Sequence, residues 1–197
     1  MNFFHLFSIA VMAAGFSGKP AGEKAMLPPK KKIISIEKKE ANGFIPWTDE
    51  KLLSWDDFLC EPKKGTDAVA STSTSLGIAY QMQDGQLSYD ISCNFSKDKS
   101  WGLMKTDYIL AHEQAHFDIT EIFARKLNEA LENYRFNKKT FKKDISAIYQ
   151  SIVKQKEDFQ KLYDGETDHS RNKRMQYNWL EEIQLLLDET APYASYP

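Results

Sequence analysis

Apolar and polar residues alternate along two neighbouring stretches in the first half of the chain. Every second residue is apolar over residues 87–95, and residues 78–82 repeat the same spacing. A period of two is typical of a strand with one buried face. Asp84-Gly85 between the two stretches is a common hairpin turn. The pattern therefore predicts a small antiparallel sheet.

The apolar spacing changes from two to about 3.6 residues after Trp101, which indicates amphipathic helices. Three such segments are predicted, at residues 104–135, 139–163 and 172–189, and Asn137 marks the turn between the first two. A sheet followed by a helical hairpin and a third helix predicts an α+β fold.

The two ends of the chain differ from this central region. Residues 3–16 are nearly all apolar but too short to span a bilayer, so residues 1–18 are predicted to be a signal peptide or N-terminal anchor. Lys, Gly, Pro and Ala dominate residues 19–42, which predicts a flexible linker. The folded domain is expected over residues 43–190, and residues 191–197 are expected to be a tail. A signal peptide would make the protein secreted or periplasmic.

Composition limits the classes of partner. A formal net charge of −2 leaves no basic field for nucleic acid, and nothing beyond the signal segment suggests membrane binding. In an exported chain Cys60 and Cys93 could form one disulfide, or they could be two small buried side chains. The sequence carries no indication of oligomeric state.

The strongest chemical signal is the H-E-x-x-H pattern of residues 112–116 on the first predicted helix. His112 and His116 are four residues apart, so both imidazoles project to the same side and can bind one Zn²⁺. Glu113 is rotated by about 100° and can take a proton from bound water, whose pKa zinc lowers to roughly 7. Two imidazoles on an apolar helix face would be costly to bury without a shared partner.

A catalytic zinc usually has a third protein ligand, and His169 is predicted to supply it. If the first two helices pack antiparallel, the loop after the second helix reaches the level of His112. Glu121 is excluded because it lies about 180° from His112 on the helix. Three acidic residues of the same loop are alternatives, as the third ligand or as a group that orients a ligand: Asp164, Glu166 and Asp168. An ordinary solvated turn is the other interpretation of this loop.

A donor that stabilises an oxyanion should also lie nearby. The candidates are Tyr163, Arg174 and Tyr177, with no preference among them.

Several stretches resemble one bacterial family, the domain of unknown function numbered 922, which is described as secreted zinc-dependent proteases. The resemblance lies in KLLSWDDF, AVASTSTSLGIAY, KSWGLM and HEQAHFDITEIFARKL, and in a late Y-D-x-x-T-x-H stretch that ends at His169. It implies a zincin-like site with His112 and His116 as metal ligands and Glu113 as the catalytic acid. This chain has Ser170 where the family pattern has Gly after the last histidine.

These observations predict a zinc metallopeptidase that hydrolyses a peptide or protein substrate, with Glu113 as general base and with His112, His116 and His169 as metal ligands. A non-catalytic, zinc-stabilised binding module of the cell envelope is one alternative, and a fourth protein ligand would distinguish it. A zinc hydrolase acting on an ester or a cell-wall amide is another. A metal-free adhesive or scaffold domain would contain no zinc.

Overall fold

The computed structural model describes residues 43–83 and 86–197. The predicted signal segment, the predicted linker and the Asp84-Gly85 turn lie outside the described residues. None of the helices in the described part of the chain is long and apolar enough to cross a bilayer.

Three antiparallel strands form the main sheet in the order β1-β4-β3. Strand β1 is Phe44–Pro46, β3 is Thr74–Gln83 and β4 is Gln86–Ser96. The register pairs Gln83 with Gln86 and continues to Thr74 and Phe95, so the predicted antiparallel pairing is confirmed. Alternate residues of β4 are buried towards its end, as its period of two predicts.

A second, two-stranded sheet joins distant parts of the chain. Strand β2, Ala70–Ser71, pairs antiparallel with β5, Trp101–Gly102. The indole ring of Trp55 lies against Gly102, where an added Cβ would be 2.5 Å from a ring carbon. Glycine at this position therefore permits the close packing that holds β5, and with it β2, in place.

Three helices follow: α1 is Asp107–Glu132, α2 is Phe141–Thr167 and α3 is Lys173–Thr190. The α+β fold, with small antiparallel sheets and three helices, agrees with the prediction. Helix α2 begins two residues later than predicted and extends one turn beyond its predicted end, because residues 164–167 continue the helix instead of forming a loop. The Asp164-Gly165 pair favours a turn in the sequence, but the buried side chains of Tyr163 and Thr167 on either side keep this segment helical.

Helix α1 lies at the centre of the molecule and contacts the main sheet, α2 and α3. The side chains of Ile119, Ile122 and Leu127 are fully buried, and Phe117 packs against Phe95 of β4. Burial of this kind stabilises a fold by roughly 25 cal/mol for each Å² of apolar surface removed from water. The core therefore fixes the orientation of α1 and of every side chain that it carries.

The last residues of the chain pack against this core. Residues 191–193 form a 3₁₀ turn, and the backbone oxygen of Pro197 accepts a hydrogen bond of 2.9 Å from the Ile91 nitrogen of β4. The Tyr196 ring is buried, and its hydroxyl donates to Glu121 on α1. Burial of that ring accounts for the ordered position of a segment whose sequence suggests only a tail. The two cysteines are both free thiols.

Candidate metal centre

The first half of α1 carries the H-E-x-x-H motif into the interior. The Thr106 side chain caps the helix by accepting a hydrogen bond of 3.2 Å from the Ile109 nitrogen, so the regular turns begin just before the motif. His112, Glu113 and His116 are all buried. The two imidazole rings lie 5.0 Å apart between their centroids. The helix therefore places both rings on one side, as their spacing predicts.

A carboxylate from α2 completes the cluster. Asp164 Oδ1 lies 3.2 Å from His112 Nε2 and 3.1 Å from His116 Nε2. Oxygen and nitrogen ligands of one tetrahedral zinc are separated by about 3.3 Å, given bonds of about 2.0–2.1 Å. Within the described residues, these three side chains have ligand atoms within 4.8 Å of one another and could hold a metal ion.

The hydrogen bonds around His112 indicate which of its nitrogens carries the proton. His112 Nδ1 lies 2.8 Å from Gln176 Oε1, an acceptor, while Gln176 Nε2 donates over 2.7 Å to the Tyr163 hydroxyl. The contact of Gln176 Nε2 with the Tyr163 hydroxyl directs the Gln176 oxygen towards His112. Because that oxygen only accepts, neutral His112 carries its proton on Nδ1. Its Nε2 lone pair then faces the Asp164 oxygen. A proton or a metal ion between these two atoms would satisfy both lone pairs, so the donor set fits zinc.

Electrostatics in the cluster favour the ionised carboxylate. Burial raises the pKa of Asp164, but when the two imidazoles are protonated, hydrogen bonds and charges from His112 and His116 outweigh that effect and hold the pKa well below its usual value. Burial also raises the pKa of Tyr163 far above its usual value. The Tyr163 hydroxyl therefore remains protonated, and it lies 3.4 Å from the His112 carbonyl oxygen as a donor. The Tyr163 ring stacks on the His112 ring with 4.6 Å between centroids.

His169 lies at the edge of this cluster. Its Nδ1 is 3.6 Å from Asp164 Oδ1, its side chain is 60% exposed, and it is outside the group whose ligand atoms lie within 4.8 Å of one another. The turn that carries it is strained, because Asp168, His169 and Ser170 all have positive φ, at 48°, 49° and 71°. Its role as a metal ligand remains a prediction.

The other acidic candidates point elsewhere. The Glu166 carboxylate accepts a hydrogen bond of 2.8 Å from Trp179 Nε1, and Asp168 pairs with Arg171. Glu121, excluded from the site by its angle on the helix, pairs instead with Arg125 at 2.9 Å. Of the three acidic residues weighed as ligands, only Asp164 faces the histidines. The reason is the extra turn of α2, which directs Asp164 towards α1.

Glu113 differs from its buried neighbours in its hydrogen bonding. Its Oε2 atom is buried and has no hydrogen-bond partner in the described part of the chain. A buried carboxylate oxygen without a partner costs about 1–3 kcal/mol or more, so most proteins pair such groups. The atom is therefore available to a group that enters the site.

A cleft of about 560 Å³ opens beside the cluster. Its walls include His112 and Glu113 from α1, Asp164 from α2, His169 from the turn after α2, and residues 67–72 around β2. Volumes of 300–1,000 Å³ are typical of pockets that bind small ligands. The arrangement joins two potential metal-binding imidazoles, two carboxylates and a space large enough for part of a substrate.

None of the three candidate oxyanion donors is among the described residues that line this cleft. Tyr163 is buried behind His112, whereas Arg174 and Tyr177 are exposed on α3. Two polar residues that the sequence analysis did not select, Tyr108 and Arg171, line the cleft instead.

Gln176 was also missed. Helical spacing could have identified Tyr108, because it lies one turn before His112. Gln176 could have been identified as a glutamine on the same face of α3 as the buried Trp179.

Comparisons with known proteins found one family. The sequence pattern of DUF922, described as a bacterial protein of unknown function, matches residues 53–170. This range covers more than half of the chain and includes β2 to α2 with the whole His112, His116 and Asp164 cluster. No curated protein and no solved structure gave a match.

Proposed function

The chain belongs to DUF922, a bacterial family of unknown function, and from the chemistry of its own site we propose that it is an exported zinc-dependent metallopeptidase. In this proposal His112 and His116 bind zinc together with Asp164 or His169, and Glu113 is the general base. The substrate is a peptide or protein that lies in the cleft. Export rests on the apolar segment at residues 3–16 and would place the activity in the periplasm or outside the cell.

The observation that carries the proposal is the Oε2 atom of Glu113, which is buried on the cleft wall one residue from a potential zinc ligand and has no hydrogen-bond partner in residues 43–83 and 86–197. A site built only for stability would gain from pairing this oxygen, because hydrogen bonding offsets the cost of burial. An unpaired carboxylate oxygen is free to accept a proton from water and to donate it to a substrate, as a general base must.

Each residue then has a distinct task. When bound, zinc would supply a water of lowered pKa and would polarise a substrate carbonyl. Glu113 accepts a proton as the water oxygen attacks the carbonyl carbon. The same proton passes to the leaving nitrogen as the C–N bond breaks, which releases a carboxylic acid and an amine. Gln176 holds the His112 ring in the tautomer whose Nε2 faces the site.

A non-catalytic, zinc-stabilised module is the second candidate, and one observation favours it. Asp164 Oδ1 lies within 3.1–3.6 Å of nitrogens from His112, His116 and His169, so four protein groups surround a small volume. A tetrahedral zinc held by all four would have no open position, which is typical of a structural site. Metal content and turnover together separate the two candidates.

Glu113→Gln is the decisive variant. It preserves shape and both imidazoles, so we expect it to bind one zinc while turnover falls by about 10²–10⁴-fold or more. Zinc content is measured on the purified protein, and turnover on a panel of peptide, ester and peptidoglycan substrates. Glu181→Gln, on the exposed surface of α3, is the matched control and should retain full activity. Undiminished hydrolysis by Glu113→Gln would remove Glu113 from the mechanism, and zinc without any turnover in the wild type would favour the structural module.

The third ligand is tested by metal content alone. Asp164→Asn and His169→Ala are compared with the wild type after exposure to a zinc chelator. The side chain that binds the metal is the one whose loss weakens zinc retention more strongly. Equal weakening by both variants would indicate a four-ligand site and would favour the structural module.

A further inference from the structure

A second pocket adjoins the metal cleft and differs from it in charge. It has a volume of about 470 Å³ and shares Ser71, Thr72 and Gln160 with the cleft. The strand segment around β2 forms one wall of both cavities, and α2 forms part of the other. The two cavities are therefore neighbours along α2 and the segment around β2.

The floor between the two cavities is a fixed polar network. Gln160 Nε2 donates to the His116 carbonyl oxygen over 3.3 Å and to Thr120 Oγ1 over 3.1 Å, and Thr120 Oγ1 lies 2.7 Å from Thr74 Oγ1. These bonds tie α2 and β3 to α1 beside the metal ligand His116. Thr72 Oγ1 in the shared wall is buried without a hydrogen-bond partner in the described residues. The junction of the two cavities is thus rigid and polar.

The second pocket is lined by three lysines: Lys63, Lys99 and Lys156. None of them forms an ion pair with a residue in the described ranges, and Asp98 is the one acidic side chain in that lining. Burial lowers the pKa of Lys156, and the nearby charge of Glu157 opposes this shift. A partly buried ammonium group that forms no ion pair in the described ranges is stabilised when a carboxylate binds beside it.

The separation from the metal centre follows from the helix. Lys156, Gln160 and Asp164 are spaced four residues apart on α2, so Lys156 lies about 12 Å along the helix from Asp164. An extended peptide spans about 3.3 Å per residue. A substrate that passes the metal centre therefore reaches Lys156 with its third or fourth residue from the cleaved bond.

We propose that this lysine-lined pocket is a subsite for a carboxylate side chain of the substrate, an Asp or Glu three or four residues from the cleaved bond. The position of the acidic residue relative to the cleaved bond rests on the proposed peptidase function. The preference for a carboxylate rests on the lysines and hydroxyls of the pocket. Lys156 is a specificity-determining residue here and takes no part in the chemistry.

The test uses the zinc-loaded wild type and a pool of acetylated, amidated ten-residue peptides, each made with one Glu and again with Gln at the same position. Mass spectrometry of the products should show Glu enriched over Gln at the third or fourth position on one side of the cleaved bond. We expect kcat/KM for a Glu peptide to exceed that of its Gln counterpart by about 5–20-fold. Lys156→Gln should abolish this preference, whereas Lys156→Arg should retain most of it. Lys154→Gln, which removes an exposed lysine of the same helix that pairs with Asp158, should leave it unchanged.

A binding measurement separates this inference from the peptidase proposal. Glu113→Gln is titrated with the same Glu and Gln peptides, with and without Lys156→Gln. Tighter binding of the Glu peptides that disappears with Lys156→Gln supports the subsite even if no peptide is cleaved. Equal binding of both peptide series overturns it, and so does cleavage without an acidic preference. If Lys156→Gln does not fold, Lys99→Gln on the exposed rim provides the same comparison with a smaller expected loss.

Discussion

Helix α1 carries two buried polar clusters that differ in how completely their groups are paired. The site cluster, defined as His112, Glu113 and His116 with Asp164, lies in its first half. The arginine cluster lies about nine residues later, or roughly 13 Å along the axis, and consists of Glu121, Arg125 and Tyr196. Side chains of both clusters are buried in the same core. Their position on one helix makes the contrast between them informative.

Donors and acceptors match in the arginine cluster. Arg125 Nε donates to Glu121 over 2.9 Å, and a second guanidinium nitrogen donates to the Leu187 carbonyl oxygen over 2.8 Å. The Tyr196 hydroxyl donates to the other Glu121 oxygen over 2.6 Å. In the site cluster, by contrast, the Nε2 lone pair of neutral His112 faces Asp164 Oδ1, and Glu113 Oε2 has no partner among the described residues. Folding favours the pairing of buried polar groups, so the incomplete pairing here supports the functional role that we propose for this cluster.

The largest effect should follow from breaking the arginine cluster. Arg125→Met leaves the Glu121 carboxylate buried without its cation, and we expect the free energy of unfolding to fall by about 3–5 kcal/mol. Urea denaturation monitored by tryptophan fluorescence would measure this loss. Glu113→Gln should change the same quantity by less than about 1 kcal/mol, because it breaks no hydrogen bond of Oε2, which has no partner among the described residues.

A double variant provides the control for this comparison. Glu121→Met combined with Arg125→Met removes both charges, and we expect it to recover much of the lost stability. If Glu113→Gln destabilised the protein as much as Arg125→Met does, the distinction between a functional and a structural cluster would be untenable.

The fold was predictable because each element carries its own period. The alternation along residues 87–95 depends only on which strand face is buried, and the structure reproduces it. The end of α2 was not predictable in the same way. Asp164-Gly165 has strong turn character, yet Tyr163 and Thr167 on either side are fully buried, and their packing extends the helix.

The site was predictable up to the point where it depends on one helix. The spacing of His112 and His116 fixes their common orientation without reference to the rest of the chain. Their partners Asp164 and Gln176 come from α2 and α3, and their approach depends on how three helices pack. No local pattern indicates that packing, which is why Asp164 is one of several alternatives in the sequence and Gln176 is not predicted.

A smaller effect should follow from loosening the one well-paired part of the site cluster. Gln176→Leu removes the acceptor for His112 Nδ1, so the ring loses its fixed tautomer and orientation. We expect zinc affinity to fall by about 10–100-fold, measured by competition with a chromophoric chelator. Gln184→Leu, on the exposed side of α3, controls for the same substitution and should leave affinity unchanged. Unaltered affinity in Gln176→Leu would mean that His112 does not depend on this hydrogen bond.

The smallest effect concerns backbone strain, which is present in the turn beside the site cluster and absent from the arginine cluster. Ser170 has a φ of 71°, a left-handed conformation that costs a residue with a Cβ about 1–2 kcal/mol, and that glycine adopts freely. Ser170→Gly also increases the entropy of the unfolded chain, so we expect a net stabilisation of about 0.5–1 kcal/mol. Ser151→Gly, within regular α2, should instead destabilise by about 0.5 kcal/mol. Thermal unfolding of both variants gives opposite signs if the turn beside His169 stores strain, and the same sign if it does not.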